Sequence, residues 1–115
     1  MKMIVAVIQP TKLDAVQQAL SRIDVTRMTV CDAMGYARQR GQLETYRGHE
    51  YKTHLLRKVA LEIVVNDDFL EPTMETLTAV ARTGPEGTIG DGKIFVLPCE
   101  ETIQINDGQK GKGAV

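Results

Sequence analysis

Met3-Ile4-Val5-Ala6-Val7-Ile8, halted by Gln9-Pro10, is a short apolar run rich in β-branched residues, and it reads as a strand with apolar side chains on both faces. The rest of the fold is read outward from it. Thr11 and Asp14 resemble a capping box, after which Leu13, Val16, Leu20 and Ile23 recur at helical spacing. A second strand is predicted from about Met28 to Tyr36, and a third over roughly Leu55 to Val65, where Val59, Leu61, Ile63 and Val65 alternate with their neighbours. Asn66-Asp67-Asp68 offers N-cap chemistry for a second helix whose inner stripe is Leu70, Met74, Leu77 and Ala81, ended by Gly84-Pro85. Lys93 to Leu97 is the fourth strand, closed by Pro98; Thr102 to Ile105 is read as an added edge, and the Gly/Lys-rich end from Gly108 as a mobile tail.

The order β-α-β-β-α-β is that of an α+β, ferredoxin-like sandwich. Right-handed crossovers put both helices on one face of the sheet. The first strand is apolar on both sides, so the other face also needs cover. In so short a chain the simplest cover is another copy of itself, and the pattern predicts an oligomer without setting the copy number.

The bulk composition narrows the function classes. A chain of 115 residues holds one domain, read as residues 1–108 with 109–115 as the tail. Fourteen basic residues against 15 acidic ones give no case for nucleic-acid or direct membrane-surface binding. No apolar run approaches the roughly 20 residues of a membrane span, and the first residues do not read as a signal peptide. Cys31 and Cys99 match no metal or redox spacing and read as buried free thiols in a reducing cytosol, which points to a cytoplasmic protein.

Two connections carry more chemistry than turns require. Ala37 to about His54, ARQRGQLETYRGHEYKTH, is long and polar, yet Tyr46, Tyr51, Arg38, Arg40, Arg47, His49 and Glu50 give it the composition of a contact surface. His49 and His54 are read as solvated residues and not as metal ligands. The second connection, Thr83 to Lys93, carries glycines at 84, 87, 90 and 92 before Lys93, a pattern suited to cradling an anion on backbone N–H groups. It nearly spells a P-loop, but Ile94 stands where Ser or Thr should bind magnesium, and a strand follows where a helix should. No nucleophile–base arrangement, paired catalytic carboxylates or metal-ligand set is evident, so no catalytic or metal site is assigned.

Tyr46-Arg47-Gly48-His49-Glu50-Tyr51 and Thr83-Gly84 followed by Ile89-Gly90-Asp91-Gly92-Lys93-Ile94-Phe95 resemble the two signatures of the PII nitrogen-regulatory signal-transduction family, and Gly35, Arg38-Gln39 and Lys58 also match. The resemblance covers nearly the whole chain. It implies a homotrimer that binds ATP or ADP between subunits, with Mg2+ accompanying ATP and with 2-oxoglutarate as effector. A long T-loop (about 37–54) would then regulate partners such as an ammonium transporter or a nitrogen-assimilation enzyme, meeting a membrane only through such a partner. Residues carried over for the nucleotide are Thr29, Gly35, Ala37, Arg38 and Val64, then Gly90, Asp91 and Gly92 in the B-loop (about 83–92) with Lys93 directly after it, together with Gln104 and Asn106. Gln39 and Lys58 would hold 2-oxoglutarate, and Tyr51 falls where many bacterial relatives are nucleotidylated by a nucleotidyltransferase. The chain departs from the family pattern in extra residues around Pro85-Glu86-Gly87, in His49, and in Gln104 and Asn106 where arginines are usual. Those departures keep a second reading open: a trimeric ferredoxin-like module for a metal or other ligand that has lost the usual effector response.

Overall fold

A computed structural model describes residues 1–40 and 51–115, with backbone alone for 37–40 and 51–54. The expectations placed on Tyr46, Arg47, His49 and Glu50, and on the side chains of Arg38, Gln39, Tyr51 and His54, lie outside the described residues. The elements are β1 (Lys2–Ile8), α1 (Leu13–Arg22), β2 (Thr29–Arg40), β3 (Tyr51–Val65), α2 (Leu70–Ala81) and β4 (Gly92–Pro98). They form one four-stranded sheet in the order β2-β3-β1-β4, every neighbouring pair antiparallel. This is the expected βαββαβ arrangement.

Strand alternation decides where the core lies. Ile4, Ala6 and Ile8 of β1 point to one face, opposite Ile63, Leu61 and Val59 of β3, and all six are buried. Val16 and Leu20 of α1 and Leu77 and Ala81 of α2 close that face, so both helices share it. The opposite face carries Met3, Val5 and Val7, paired to Val64, Glu62 and Ala60 on one side and to Leu97, Phe95 and Lys93 on the other. No helix covers it. Within one chain, then, β1 is buried on a single side, and Phe95 and Leu97 stay exposed.

The helix starts differ from the expected caps. Thr11 sits inside a 3-10 turn, Pro10–Lys12, that runs directly into α1, and no side-chain cap bond forms there. Proline at the head of the turn, with its fixed φ, takes over the role expected of the threonine. The chain leaves α1 through Asp24, whose φ of 64° lets the Val25 N–H return to the Leu20 carbonyl at 2.9 Å. Asn66 likewise precedes a 3-10 turn, Asp67–Phe69, without capping it, and its side-chain amide donates instead to the Lys112 carbonyl at 3.5 Å.

Two further boundaries move. β2 and β3 continue pairing as far as Arg40↔Tyr51, so both flanks of the expected 37–54 loop are strand, because backbone hydrogen bonds pair polar and apolar residues alike. Thr102 to Ile105 does not join the sheet; Ile103 makes an isolated bridge to Lys110. The expected tail is seated: Gly111–Ala114 forms a 3-10 turn, and Arg27 Nη1 donates to the Val115 carbonyl at 3.2 Å.

Candidate functional site

The connection from α2 to β4 needs glycine because its backbone turns into the left-handed region at Gly84, Gly87, Gly90 and Gly92. At Gly92 a second reason applies: a Cβ there would collide with the Val7 carbonyl oxygen. The N–H of Asp91 donates to the Thr88 carbonyl at 3.2 Å, closing a turn whose third residue, Gly90, has φ 106°. The N–H groups of Ile89 and Gly90, inside that turn, have no hydrogen-bond partner among the described residues.

The Asp91 carboxylate organises the loop. It accepts from the Thr83 N–H at 3.0 Å, the Thr83 hydroxyl at 2.6 Å, the Thr88 N–H at 2.9 Å and the Thr88 hydroxyl at 3.2 Å. The threonines, the Thr83 hydroxyl most of all, hold its pKa well below the usual carboxylate range. Two side chains fasten the loop, one from β3 and one from the residue just after β1. Gln9 Nε2 donates to Asp91 Oδ1 at 3.2 Å and to the Gly90 carbonyl at 3.4 Å, and Lys58 Nζ donates to the same carbonyl at 2.6 Å.

Gly90, Asp91, Gly92, Lys93 and Lys58, singled out from the sequence, therefore converge at one end of the sheet. Gly35 joins them: a Cβ added there would meet only Lys58 Cγ, at 3.8 Å, so its bareness leaves surface open beside the lysine stem. Ala37, Arg38 and Gln39 follow on the same strand, paired in register to His54, Thr53 and Lys52, and Tyr51 begins β3 opposite Arg40. A cavity of about 280 Å3 opens on the helix side of the loop, floored by Ile8, Leu77, Ala81 and Ile94. Asp91, Gly92 and Lys93 also line it, so the hollow borders the convergent loop residues, with Lys58 outside its lining.

The remaining candidates lie elsewhere. Val64 pairs with Met3 and Thr29 with Glu62, toward the far end of the strands. Gln104 and Asn106 follow β4 beyond Pro98, which pairs with Lys2, whereas Gly92 pairs with Ile8. That is six residue steps of strand, about 20 Å. One chain thus divides the candidates between its two ends. Gln9 and the side chains of Thr83 and Thr88 were given no part in the site by sequence reasoning; two threonines bracketing a Gly-rich run ahead of an aspartate was the available signal. Among the described residues no group of three or more His, Cys, Asp and Glu could hold a metal ion, and no helix is long and apolar enough to cross a membrane.

Comparison with known proteins shows the family and the fold. The sequence model of the family described as "Nitrogen regulatory protein P-II" matches residues 1–109. The chain is 47% identical over 115 residues to the Nitrogen regulatory protein GlnK1 of Methanosarcina mazei, covering 100% of this chain and 97% of that one. It is 45% identical to the Nitrogen regulatory protein P-II of Azospirillum brasilense, covering both chains in full. Its fold is similar to the solved structure of B. subtilis GlnK, with a TM-score of 0.81 and 32% identity over 99% of this chain and 97% of that one.

Proposed function

The chain belongs to the P-II nitrogen regulatory protein family, whose members are signal-transduction regulators of partner proteins and not enzymes, and from that premise we propose that it senses adenine nucleotides, with 2-oxoglutarate as effector, at clefts between the subunits of a trimer. The carrying observation is the division of the candidate residues between two ends of one sheet. The loop end offers Gly90, Gly92, Lys93 and Lys58; the far end offers Thr29, Val64, Gln104 and Asn106. A single nucleotide reaches both sets only if one chain's loop end meets a neighbour's far end. The uncovered face of Met3, Val5, Phe95 and Leu97 supplies the apolar surface on which such neighbours would pack.

In this reading phosphates sit on the Ile89 and Gly90 N–H groups with Lys93 adding positive charge, and Mg2+ accompanies ATP. A 2-oxoglutarate carboxylate competes with the Gly90 carbonyl for the Lys58 ammonium, Gln39 completes its site, and the β2–β3 ribbon transmits the change to the partner. Ala37 and Arg38, on that ribbon, line the phosphate approach, and Tyr51 at its base is the candidate modification site. The partner is a transporter or enzyme of nitrogen assimilation.

Titration calorimetry with ATP and ADP, with and without 2-oxoglutarate and Mg2+, tests the proposal alongside light scattering. Expected are a trimer, nucleotide binding, and tighter ATP binding when 2-oxoglutarate is present. A stable monomer, or a trimer with no affinity for either nucleotide, would overturn it.

A further inference from the structure

We infer that Asp91 is a positioning residue for the phosphate loop, acting through Thr83, Thr88 and Gln9 to hold the Ile89–Gly90 N–H pair toward an anion while its own carboxylate faces away; the inference deepens the nucleotide-binding reading above and rests on it. A carboxylate has about four lone-pair sites. Here two threonine N–H groups, two threonine hydroxyls and the Gln9 amide all donate to it. It has no acceptor capacity left for a bound cation.

The bonds span the loop. Thr83 lies eight residues before Asp91 and Thr88 three, so the segment Gly84-Pro85-Glu86-Gly87 is pinched off as a closed ring between two threonines. Gly87 packs inside that ring, since a Cβ there would meet both Arg82 Cγ and Asp91 Oδ2 at 3.2 Å. Gln9 ties the ring to the end of β1. What stays outside is the Thr88–Asp91 turn, with the Ile89 side chain fully exposed and two N–H groups unpartnered among the described residues. A negative charge beside an anion site opposes binding by itself. Its presence here is explained by what it holds in place.

The two roles predict opposite signs, which makes the inference testable. If Asp91 acted only through its charge, Asp91→Asn would remove repulsion and tighten ATP binding. As a positioning residue, its replacement should weaken ATP and ADP about 10- to 100-fold, because the single amide oxygen cannot accept all five donors that meet the carboxylate and the amide has unwanted donors of its own. Adenosine, which lacks phosphates, should bind as before. Thr88→Val should lose affinity in the same direction, and Thr88→Ser should recover most of what valine loses. Calorimetry with the three ligands reads these effects, and the melting temperature and assembly of each variant guard against misfolding. Unchanged or tighter ATP binding by Asp91→Asn, or equal losses for ATP and adenosine, would overturn the inference. If the wild-type protein binds no nucleotide, the function proposed above fails instead. Amide exchange at Thr83 and Thr88 then decides the positioning role alone, which faster exchange in Asp91→Asn supports and unaltered exchange refutes.

Discussion

Gly92 and Asp91 are adjacent, yet they constrain the loop in different ways, one by sterics and one by hydrogen bonding. The contact to the Val7 carbonyl and a φ of 116° leave Gly92 no room for a side chain. Gly92→Ala is expected to destabilise the chain by at least about 3 kcal/mol, from the clash together with the left-handed backbone, read in denaturant unfolding. A loss under about 1 kcal/mol would mean that β1 and β4 part easily there. The Asp91 pKa is depressed by its threonine donors. A group whose folded pKa lies below its unfolded one contributes stability above the unfolded value and loses it only as pH falls through the folded value. The Asp91 carboxyl carbon resonance should therefore stay flat between about pH 3 and 6, where unperturbed aspartates titrate. A midpoint near about 4 would contradict the bond set. The glycine-rich turn ahead of Lys93 was legible from the sequence. The inward turn of Asp91 was not, because Gly-Asp-Gly-Lys carries no information about where Thr83 and Gln9 arrive.

At the scale of elements, α2 shows how a correct period can miss a residue. Leu77 and Ala81 of the expected stripe are buried, but Thr73, four residues before Leu77, is wholly buried too, while Met74 is only partly so. A threonine is tolerated there because its hydroxyl donates to the Phe69 carbonyl at 2.7 Å, one turn back. Leu77→Ala should cost about 2–5 kcal/mol in chemical denaturation, as truncation of a fully buried leucine does. Thr73→Val, which gives up only a bond local to the helix, should cost about 1 kcal/mol or less, and a loss as large as that of Leu77 would mean the hydroxyl has a wider role. The β2–β3 ribbon was under-read for a different reason. Its polar flanks lack the apolar alternation that marks a half-buried strand, whereas the pairing Arg38↔Thr53 needs only main-chain groups.

The whole molecule is organised by one covered face and one bare one. Helices close over Ile4, Ala6 and Ile8, while Phe95 lies exposed beside Val5 on the other side. Phe95→Glu should leave the single-chain core intact, since Phe95 is exposed and is not among the residues packed against that core, and should shift the proposed trimer toward monomer at micromolar concentration. Sedimentation or light scattering checks this, and an unchanged trimer would place the subunit interface elsewhere. Nucleotide affinity should fall with the trimer, since one chain presents only half of the proposed cleft.

The sequence by itself determined the order of elements, the buried side of α1 and β3, and the glycine-rich connection. All of these follow from period and turn chemistry among near neighbours in the chain. Only the tertiary structure decided which groups meet across it. Gln9 and Asp91 are 82 residues apart and Lys58 and Gly90 are 32 apart, and the sheet register alone brings each pair within hydrogen-bond reach. The same register sends Val64, and the end of β4 from which the chain runs on to Gln104, to the opposite end from Gly92. Local pattern specifies which face a residue takes, because side-chain period is a property of neighbouring residues. It does not specify what stands opposite, because strand pairing is a property of distant ones.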